Sequence, residues 1–336
     1  MINRQSRLYW LTGFIGLAVL AGLFWLWSHR ERTVSQSEFA LGTIIEITVT
    51  GTRPEPAVAS AFQEIRRIEK LTSSRRESDL GRINQWAGKK PVRVSPDTIA
   101  ILQYIKKLHP LVFGAFDPTI APLIELWGFG YDGQPHLPEA EQIRQSLALV
   151  DFKQVKINTT TGTVMLLKPG MRLDLGGIAK GYAIDRAYQI LRRAGIKSAL
   201  INGGSSSIRV IGKRADGQNW QIGIGHPRKS DSLVGRLTLP HDRALGTSAD
   251  TQNFFIKNRV RYHHIINPYT GYPSGDKILV TVTASTAMTA DLLSTAFFIL
   301  PADRVHQAIK QLPGVRVIIV EQKQKVLNIN EPNFQQ

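Results

Sequence analysis

Residues 172–212 read RLDLGGIAKGYAIDRAYQILRRAGIKSALINGGSSSIRVIG and decide the fold class. Apolar residues follow helical spacing from Ile178 to Ala194, and Gly195 predicts the end of that helix. Two segments rich in β-branched residues come next, SALIN and SSIRVIG, and we expect them to be strands. A helix that leads into consecutive, antiparallel-looking strands favours an α+β fold over a doubly wound parallel sheet.

The rest of the chain continues this mixture of helices and strands. Helices are predicted at 54–71, from Ser95-Pro96 onward, near 286–299 and near 302–311. Strands are predicted at 38–50, 220–225, 233–239, 261–267, 277–284 and 315–321, with a hairpin at 155–167. Since no repeat or long linker interrupts residues 35–336, we expect one α+β domain there, with mixed, mainly antiparallel sheets and packed helices.

The N-terminal segment 1–34 is predicted to be a membrane anchor. Leu8 to Trp27 holds twenty residues without a charge, which is enough to cross a ~30 Å hydrocarbon core as a helix. Aromatic residues lie at both ends of this run, where their rings favour the membrane interface. A cleaved signal peptide is the alternative, but no A-x-A site follows, so we favour an uncleaved transmembrane helix.

Composition excludes several classes of protein. The absence of Cys excludes disulfides, iron–sulfur clusters, thiol nucleophiles and a lipid-modified cysteine. The chain has 42 Lys+Arg against 26 Asp+Glu, a formal charge of +16, which suggests an anionic partner. Because the cations are scattered along the whole length rather than interleaved with aromatic residues, we expect no nucleic-acid binding.

Segments rich in glycine and small polar residues are candidates for a ligand site. Gly176 and Gly177 precede a helix whose free amides and dipole favour a phosphate, and Lys180 adds a positive charge. INGGSSS (201–207) and GTSAD (246–250) are predicted to be small polar loops that could contact phosphate or ribose. Ordinary turn chemistry explains each segment equally well, so these residues alone leave both interpretations open.

Two polar pairs suggest chemistry. His263 and His264 lie in a predicted strand whose alternation puts them on opposite faces, so at most one can reach a given site as a general base. Asp291 and Thr295 lie at i and i+4 of a predicted helix and present a carboxylate and a hydroxyl on one face, an arrangement that suits Mg²⁺. A structural histidine and a helix with one exposed aspartate are the alternatives.

Aromatic residues cluster in GAFDPTIAPLIELWGFG (114–130). Phe116, Trp127 and Phe129 could pack against a planar ring or fill the core. We expect them to belong to the core.

Taken in order, these segments resemble the FAD:protein FMN transferase family, also called the ApbE family. The resemblance runs from about Phe39 to the end of the chain. It rests on eight motifs: Leu41-Gly42-Thr43, Ser78 to Asn84, GAFDPT with the following Trp-Gly-Phe, DLGGIAKGYAID, NGGSSS, TSAD, HIINPYTG and ADLLSTA. It implies an α+β enzyme that uses Mg²⁺ to split FAD at its pyrophosphate, joins the FMN half to a Thr or Ser hydroxyl of a target protein and releases AMP.

The resemblance also implies roles for particular residues. His264 would be the catalytic base, with Lys180 supplying positive charge. The implied metal ligands are Gly177 (through its carbonyl), Asp291 and Thr295, with Ser294 nearby. The implied FAD-lining residues are Leu41, Ala115, Phe116, Asp117, Asp174, Lys180 and Ile266.

Location and partners are likewise implied by the resemblance. It implies a catalytic domain on the periplasmic side of the cell inner membrane, held by a single-pass helix rather than by lipid, since the chain has no Cys. The implied partners are FAD and target flavoprotein subunits of exported or membrane redox complexes.

Three positions depart from the family's pattern, one of them Ser205, where some members carry Asp. Ser74 stands where many members carry a flavin-stacking Tyr, and Ala249 stands where Gly is common. The sequence also does not separate water from a protein hydroxyl as the acceptor. A Mg²⁺-dependent FAD pyrophosphatase that yields free FMN and AMP is therefore the nearest alternative, and a non-catalytic, membrane-tethered FAD-binding protein is the second.

Overall fold

The computed structural model describes residues 31–130, 133–323 and 325–336. The predicted transmembrane span 8–27 and nearly all of the predicted anchor 1–34 lie outside these ranges. Within them, no helix combines the length and the apolar character needed to cross a bilayer.

The described residues form an α+β fold, as predicted. The strands are β1 (Arg32–Ala40), β2 (Thr43–Gly51), β3 (Val92–Arg93), β4 (Val155–Asn158), β5 (Thr163–Leu166), β6 (Ser198–Gly203), β7 (Ser207–Ile211), β8 (Trp220–Gly225), β9 (Leu233–Leu239), β10 (Ala244–Ala249), β11 (Phe254–Lys257), β12 (Val260–His263), β13 (Lys277–Ala284), β14 (Arg316–Glu321), β15 (Val326–Ile329) and β16 (Phe334–Gln335). The helices are α1 (Glu55–Thr72), α2 (Asp79–Gln85), α3 (Pro96–Leu108), α4 (Ala121–Leu126), α5 (Ala140–Leu147), α6 (Gly176–Arg193), α7 (Ala287–Ile299) and α8 (Ala302–Ile309).

An eight-stranded sheet organises the domain. Its order is β1-β2-β6-β7-β10-β13-β14-β15, and every neighbouring pair is antiparallel. Helices α1 and α6 pack on β2 and β6, and α7 packs on β10 and β13. A three-stranded sheet, β16-β9-β8, packs on apolar residues of the central strands, which accounts for the complete burial of β13.

Helix α7 is held at both ends by buried charges. The Asp185 carboxylate accepts hydrogen bonds from the amides of Ala287 (2.8 Å) and Met288 (2.9 Å), which are free at the helix N-terminus. The Lys277 ammonium donates to the carbonyls of Phe298 (3.4 Å) and Leu300 at the other end. The negative charge at the N-terminus and the positive charge at the C-terminus both interact favourably with the helix dipole. These contacts fix α7 relative to α6 and the sheet.

Two glycines set the distances between α7 and its neighbours. A Cβ on Gly181 of α6 would lie 2.4 Å from the carbonyl oxygen of Ala287, and one on Gly246 of β10 would lie 2.3 Å from the carbonyl group of Ala290. The backbones can therefore approach this closely only where no side chain intervenes.

We expect Gly246→Ala to destabilise the domain. The added methyl would push β10 away from α7, and overpacking of this kind typically costs ~1–3 kcal/mol. Thermal unfolding should show a lower melting temperature than that of the wild type. Gly275→Ala is the matched control, because a Cβ there meets nothing within 4 Å, and an equal effect of both substitutions would contradict this account of the packing.

Some predicted boundaries were wrong. The strand predicted at 38–50 is two strands, β1 and β2, joined by a turn at Leu41-Gly42 with φ values of 53° and 73°. These positive φ values match the right-handed twist of a tight hairpin. Both strands are rich in β-branched and apolar residues, and Leu is not a typical turn residue. The sequence therefore contains no clear signal for this turn.

Other segments also differ from prediction. GTSAD was predicted to be a loop, but residues 246–249 belong to β10, in the middle of the sheet. Its residues are small because α7 lies directly against the strand. The strand predicted at 261–267 ends at His263. Just before Asp174, Arg172 forms a single parallel bridge with Ile120.

Candidate active site

A cavity of about 720 Å³ collects nearly all of the predicted site residues. Its wall is formed by segments that are far apart in sequence, including the β1–β2 turn, the start of α6, the β6–β7 turn, β8, β10 and one face of α7. Eleven of the twelve predicted residues line it: Leu41, Ala115, Phe116, Asp117, Asp174, Gly177, Lys180, His264, Ile266, Asp291 and Thr295. Their placement in one cavity is a finding, and their chemical roles stay predictions.

Ser294 is the predicted residue that does not line the cavity. It is fully buried in α7, where its hydroxyl donates to the carbonyl of Asp291 at 2.9 Å. Its oxygen also lies 2.9 Å from the Ser248 hydroxyl of β10. Ser294 therefore holds α7 against β10 behind the cavity wall.

Asp291 is the most deeply placed carboxylate of the site, with 4% of its surface exposed. One carboxylate oxygen accepts from the Gly181 amide and the other from the Ser207 hydroxyl, each at 3.0 Å. Burial raises the pKa of this carboxyl, and the positive charge of Lys180 and these two hydrogen bonds oppose that rise. A buried carboxylate of this kind is stabilised by a cation bound next to it.

Thr295 and Gly177 lie beside Asp291. The Thr295 hydroxyl is 3.2 Å from that of Ser248, and a Cβ on Gly177 would be 3.1 Å from Thr295 Oγ1. The start of α6, helix α7 and β10 therefore come close together at the Thr295 hydroxyl. The Gly181 amide, which is the expected helical partner of the Gly177 carbonyl, also donates to Asp291. Because a carbonyl oxygen has two lone pairs, that of Gly177 keeps the capacity for a further partner.

These oxygen atoms fit Mg²⁺. A carboxylate, a hydroxyl and a carbonyl are hard ligands, and Mg²⁺ commonly takes few of them from protein and the rest from water and phosphate. Among the residues that the structure describes, no group of three or more His, Cys, Asp or Glu could hold a metal ion. A site here would thus depend on substrate phosphate to complete its ligands.

Lys180 supplies positive charge to the cavity from the second turn of α6. It is close enough to Asp174, His264 and Asp291 to influence the pKa of each. Asp174 accepts from the Gly176 amide at 2.7 Å, and burial raises the pKa of its carboxyl, while that amide and Lys180 oppose the rise. The start of α6 therefore places the Lys180 ammonium and the positive end of the helix dipole beside the cavity, which favours an anionic group.

His264 presents one ring nitrogen as a base. Its Nδ1–H donates to the Gln252 carbonyl at 2.8 Å, so the neutral ring carries its lone pair on Nε2. Burial lowers the pKa of this imidazole to about 4, and the neighbouring His263 and Lys180 lower it further, while the hydrogen bond to Gln252 acts in the opposite sense. The ring is therefore neutral at ordinary pH and able to accept a proton.

His263 has a structural role. Its Nε2–H donates to the Ser274 carbonyl at 2.6 Å, its Nδ1 accepts from the Ile265 amide at 3.2 Å, and only 2% of the residue is exposed. The prediction that at most one of the two histidines faces the site is confirmed.

The Asp117 carboxylate is committed to its own loop. One oxygen accepts from the amide and the hydroxyl of Thr119 at 2.8 and 2.6 Å, and the other accepts from the Phe152 amide at 3.0 Å. Asp117 lines the cavity, but its side chain shapes the loop, so a ligand contact there would come through other atoms of the stretch 115–117. Nearby, Trp127 is fully buried and donates to the Gly271 carbonyl at 2.8 Å, which confirms its predicted place in the core.

Some residues of the wall were not predicted. Residues 221–225 of β8 line the cavity, as do Gln252 and Asn253 after β10. No sequence signal marks β8, since WQIGIG is an ordinary strand pattern that only the tertiary fold brings to the site. From NGGSSS, Asn202 and residues 204–206 line the cavity, and from GTSAD residues 247–249 do, whereas Asp250 is buried in an ion pair with Arg228.

Comparison with known proteins agrees with this geometry. A family model described as the ApbE family matches residues 41–319, most of the chain. The chain belongs to the ApbE family. An FAD:protein FMN transferase of Klebsiella pneumoniae is 33% identical over 88% of this chain and 92% of its own length.

Solved structures of ApbE proteins have the same fold. An ApbE protein of Thermotoga maritima superposes with a TM-score of 0.81 at 32% identity, covering 89% of this chain and 97% of the other. A flavin transferase ApbE of Vibrio cholerae gives a TM-score of 0.80 at 28% identity, covering 90% of this chain and 98% of the other. The ApbE assignment therefore covers most of the described domain rather than one motif.

Proposed function

We propose that this chain is an FAD:protein FMN transferase. It would join the FMN half of FAD to a Thr or Ser hydroxyl of a target flavoprotein through a phosphoester and release AMP. The observation that carries the proposal is the meeting, in one cavity, of the Asp291–Thr295 oxygen pair, the Lys180 ammonium and the free Nε2 of His264. The names of similar ApbE proteins support the same reaction.

In the proposed reaction, the acceptor hydroxyl oxygen attacks the phosphorus of the FMN half. The bond from this phosphorus to the bridging oxygen breaks, AMP leaves with that oxygen, and the hydroxyl proton passes to His264 Nε2. A positioned base of this kind typically contributes ~10²–10⁴-fold to the rate. Because His264 is neutral before the reaction, it can accept the proton without first losing one.

Charge on the phosphates is balanced by the residues around the start of α6. Lys180 and the positive end of the α6 dipole would lie where negative charge develops on the phosphate oxygens. Asp291, Thr295 and the Gly177 carbonyl would hold Mg²⁺. That ion would supply Lewis-acid stabilisation of the pyrophosphate.

The flavin ring needs a different partner from the predicted Tyr. Ser74 does not line the cavity, whereas Phe116 and Phe129 do. We propose that these apolar rings, together with Leu41, which also lines the cavity, provide the surface for the flavin or adenine ring.

We further propose that the domain works on the periplasmic side of the inner membrane, held by residues 8–27 as an N-in anchor. Its acceptors would then be flavoprotein subunits of exported or membrane redox complexes. A reporter fused after Gln336 should be active only outside the cytoplasm. Activity confined to the cytoplasm would contradict this placement.

The test of the function is to incubate the protein with FAD, Mg²⁺ and a periplasmic acceptor flavoprotein, and to follow AMP release and flavin fluorescence on a denaturing gel. Transfer predicts AMP together with fluorescence that stays on the acceptor, and both signals should be lost with EDTA. AMP with free FMN alone would identify a pyrophosphatase. FAD binding without any AMP would identify a binding protein.

A further inference from the structure

The β11–β12 hairpin projects from the wall of the active-site cavity. It begins directly after Asn253 and ends directly before His264, and both of these residues line the cavity. A molecule bound along the hairpin is therefore held next to the proposed base.

One face of the hairpin is anchored in the domain. Phe255 and Tyr262 stack at 5.1 Å between ring centroids, Tyr262 stacks on Trp127 at 5.5 Å, and Phe255 lies 6.1 Å from Phe129. Because Trp127 is fully buried, this aromatic group fixes the hairpin's position relative to the cavity.

The opposite face is apolar and open. On this face Ile256 is 61% exposed and Phe254 is 38% exposed. Val260, next to the turn, is 50% exposed, although the register places it on the face of Phe255 and Tyr262. Among the described residues, no third strand pairs with β11 or β12. Open strand edges beside exposed apolar side chains are the features that bind an extended peptide.

The hairpin is also positively charged. Lys257, Arg259 and Arg261 lie within seven residues of Phe254, and no Asp or Glu occurs between residues 251 and 275. None of these three cations forms an ion pair with a residue that the structure describes. Arg261 instead lies over the Phe254 ring at 3.6 Å. The surface therefore complements a segment with both apolar and acidic side chains.

We propose that this hairpin is the docking surface for the acceptor polypeptide, which binds as an extended segment with acidic and apolar residues flanking its Thr or Ser. The proposal rests on the proposed function, since it requires that the acceptor be a protein. An acceptor hydroxyl must enter the cavity on a chain that continues outside it, and the hairpin is joined to the cavity wall at both of its ends. A lipid surface and a second copy of the chain are the other occupants that the test must separate.

The first test is binding of two short fluorescent peptides, each with one central Thr, flanked by alternating Asp and Val or by alternating Lys and Val. We expect the Asp peptide to bind about tenfold more tightly than the Lys peptide, and Lys257→Glu/Arg259→Glu to remove that preference. Lys106→Glu/Lys107→Glu on α3 makes the same charge change on another exposed surface and should leave it intact. Equal binding of both peptides to the wild type would overturn the proposal.

The second test uses the acceptor protein labelled in the transfer assay. Ile256→Ser and the double charge variant should raise the KM for this acceptor while FAD binding stays unchanged. If the wild type labels its acceptor and neither variant changes that KM, the docking surface is wrong although the transferase function stands. If no protein is labelled at all, the proposed function itself has failed.

The remaining occupants have their own readouts. If vesicles of phosphatidylcholine and phosphatidylglycerol bind the wild type but not the charge variant, and the acceptor KM does not change, the hairpin is a membrane contact and the proposal is overturned. Self-association that Ile256→Ser abolishes, again with an unchanged KM, would overturn it in favour of a dimer interface.

Discussion

Asp291→Ala should abolish acceptor labelling, with a larger loss than any other single substitution in the cavity. Asp291 is the carboxylate of α7 that lines the cavity one helical turn from Thr295, which approaches Gly177, so its removal would leave the proposed Mg²⁺ site without the charged ligand assigned to it. A bound metal contributes several kcal/mol of charge stabilisation, and ~1.4 kcal/mol corresponds to a tenfold change in rate. We therefore expect a loss of roughly a thousandfold or more.

Lys180→Ala should have a smaller effect. Lys180 would supply charge near the phosphates, but the positive end of the α6 dipole stays in place when the side chain is removed. The measurement is the initial rate of labelling at saturating FAD and Mg²⁺ for both variants.

Controls separate chemistry from folding. Asp291 also accepts hydrogen bonds from Gly181 and Ser207, so Asp291→Asn, which keeps the shape of the side chain, is measured beside the Ala variant together with its melting temperature. Asp303→Ala on the exposed side of α8 removes a carboxylate outside the cavity and should leave the rate unchanged. Substantial labelling by a folded Asp291→Asn variant would contradict the proposed role.

His264→Asn should lower the transfer rate by ~10²–10⁴-fold, the range for loss of a positioned general base. The Asn amide can still donate to the Gln252 carbonyl as Nδ1–H does, but it has no basic atom in place of Nε2. The loss should therefore appear in kcat, with FAD binding and the melting temperature close to those of the wild type.

The pH dependence of the transfer rate is a second test of His264 as the general base. Burial lowers the pKa of His264 to about 4, so its basic form is the populated one at every pH above that value. The base-limited rate of the wild type should be flat from about pH 6 to 8 and should fall as the pH drops through about 4. In His264→Asn this acidic limb should disappear.

His306→Asn on α8 is the matched control, because it removes an exposed imidazole outside the cavity. A wild-type rate that falls already near the ordinary histidine pKa of ~6.5 would contradict the buried, neutral state of His264. A His264→Asn variant with an unchanged kcat would exclude this residue as the base.

The sequence predicts most of the fold because local patterns mark its main elements. The capping Ser95 before Pro96, the helical spacing that ends at Gly195 and the alternation in KILVTVTA each correspond to an element in the structure. The β1–β2 turn was not predicted because Leu41 has a positive φ although leucine is not a residue type that indicates a turn. The strand β10 was not predicted because its residues are small, which the close approach of helix α7 requires, and small residues have low strand propensity.

The site was predicted as a set of separate motifs, and their convergence comes from tertiary structure. The i, i+4 spacing of Asp291 and Thr295 places two oxygens on one face of α7, but only packing shows that Gly181 and Ser207 hold that carboxylate. The alternation of side chains along a strand predicts that at most one of the two histidines faces the site. The Gln252 carbonyl, which determines that Nε2 is the basic nitrogen of His264, belongs to a loop that no sequence motif marks. The contribution of β8 to the cavity wall also comes from tertiary structure, since this strand reaches the cavity only because its sheet packs on the central strands.

The most direct test of the central claim is mass spectrometry of the acceptor protein after incubation with FAD, Mg²⁺ and the enzyme. The account predicts that one Thr or Ser side chain gains the mass of a phosphoester-linked FMN, with AMP released in equal amount, and that Asp291→Ala gives neither product. AMP and free FMN with an unmodified acceptor, or a modified acceptor formed equally well by Asp291→Ala, would contradict it.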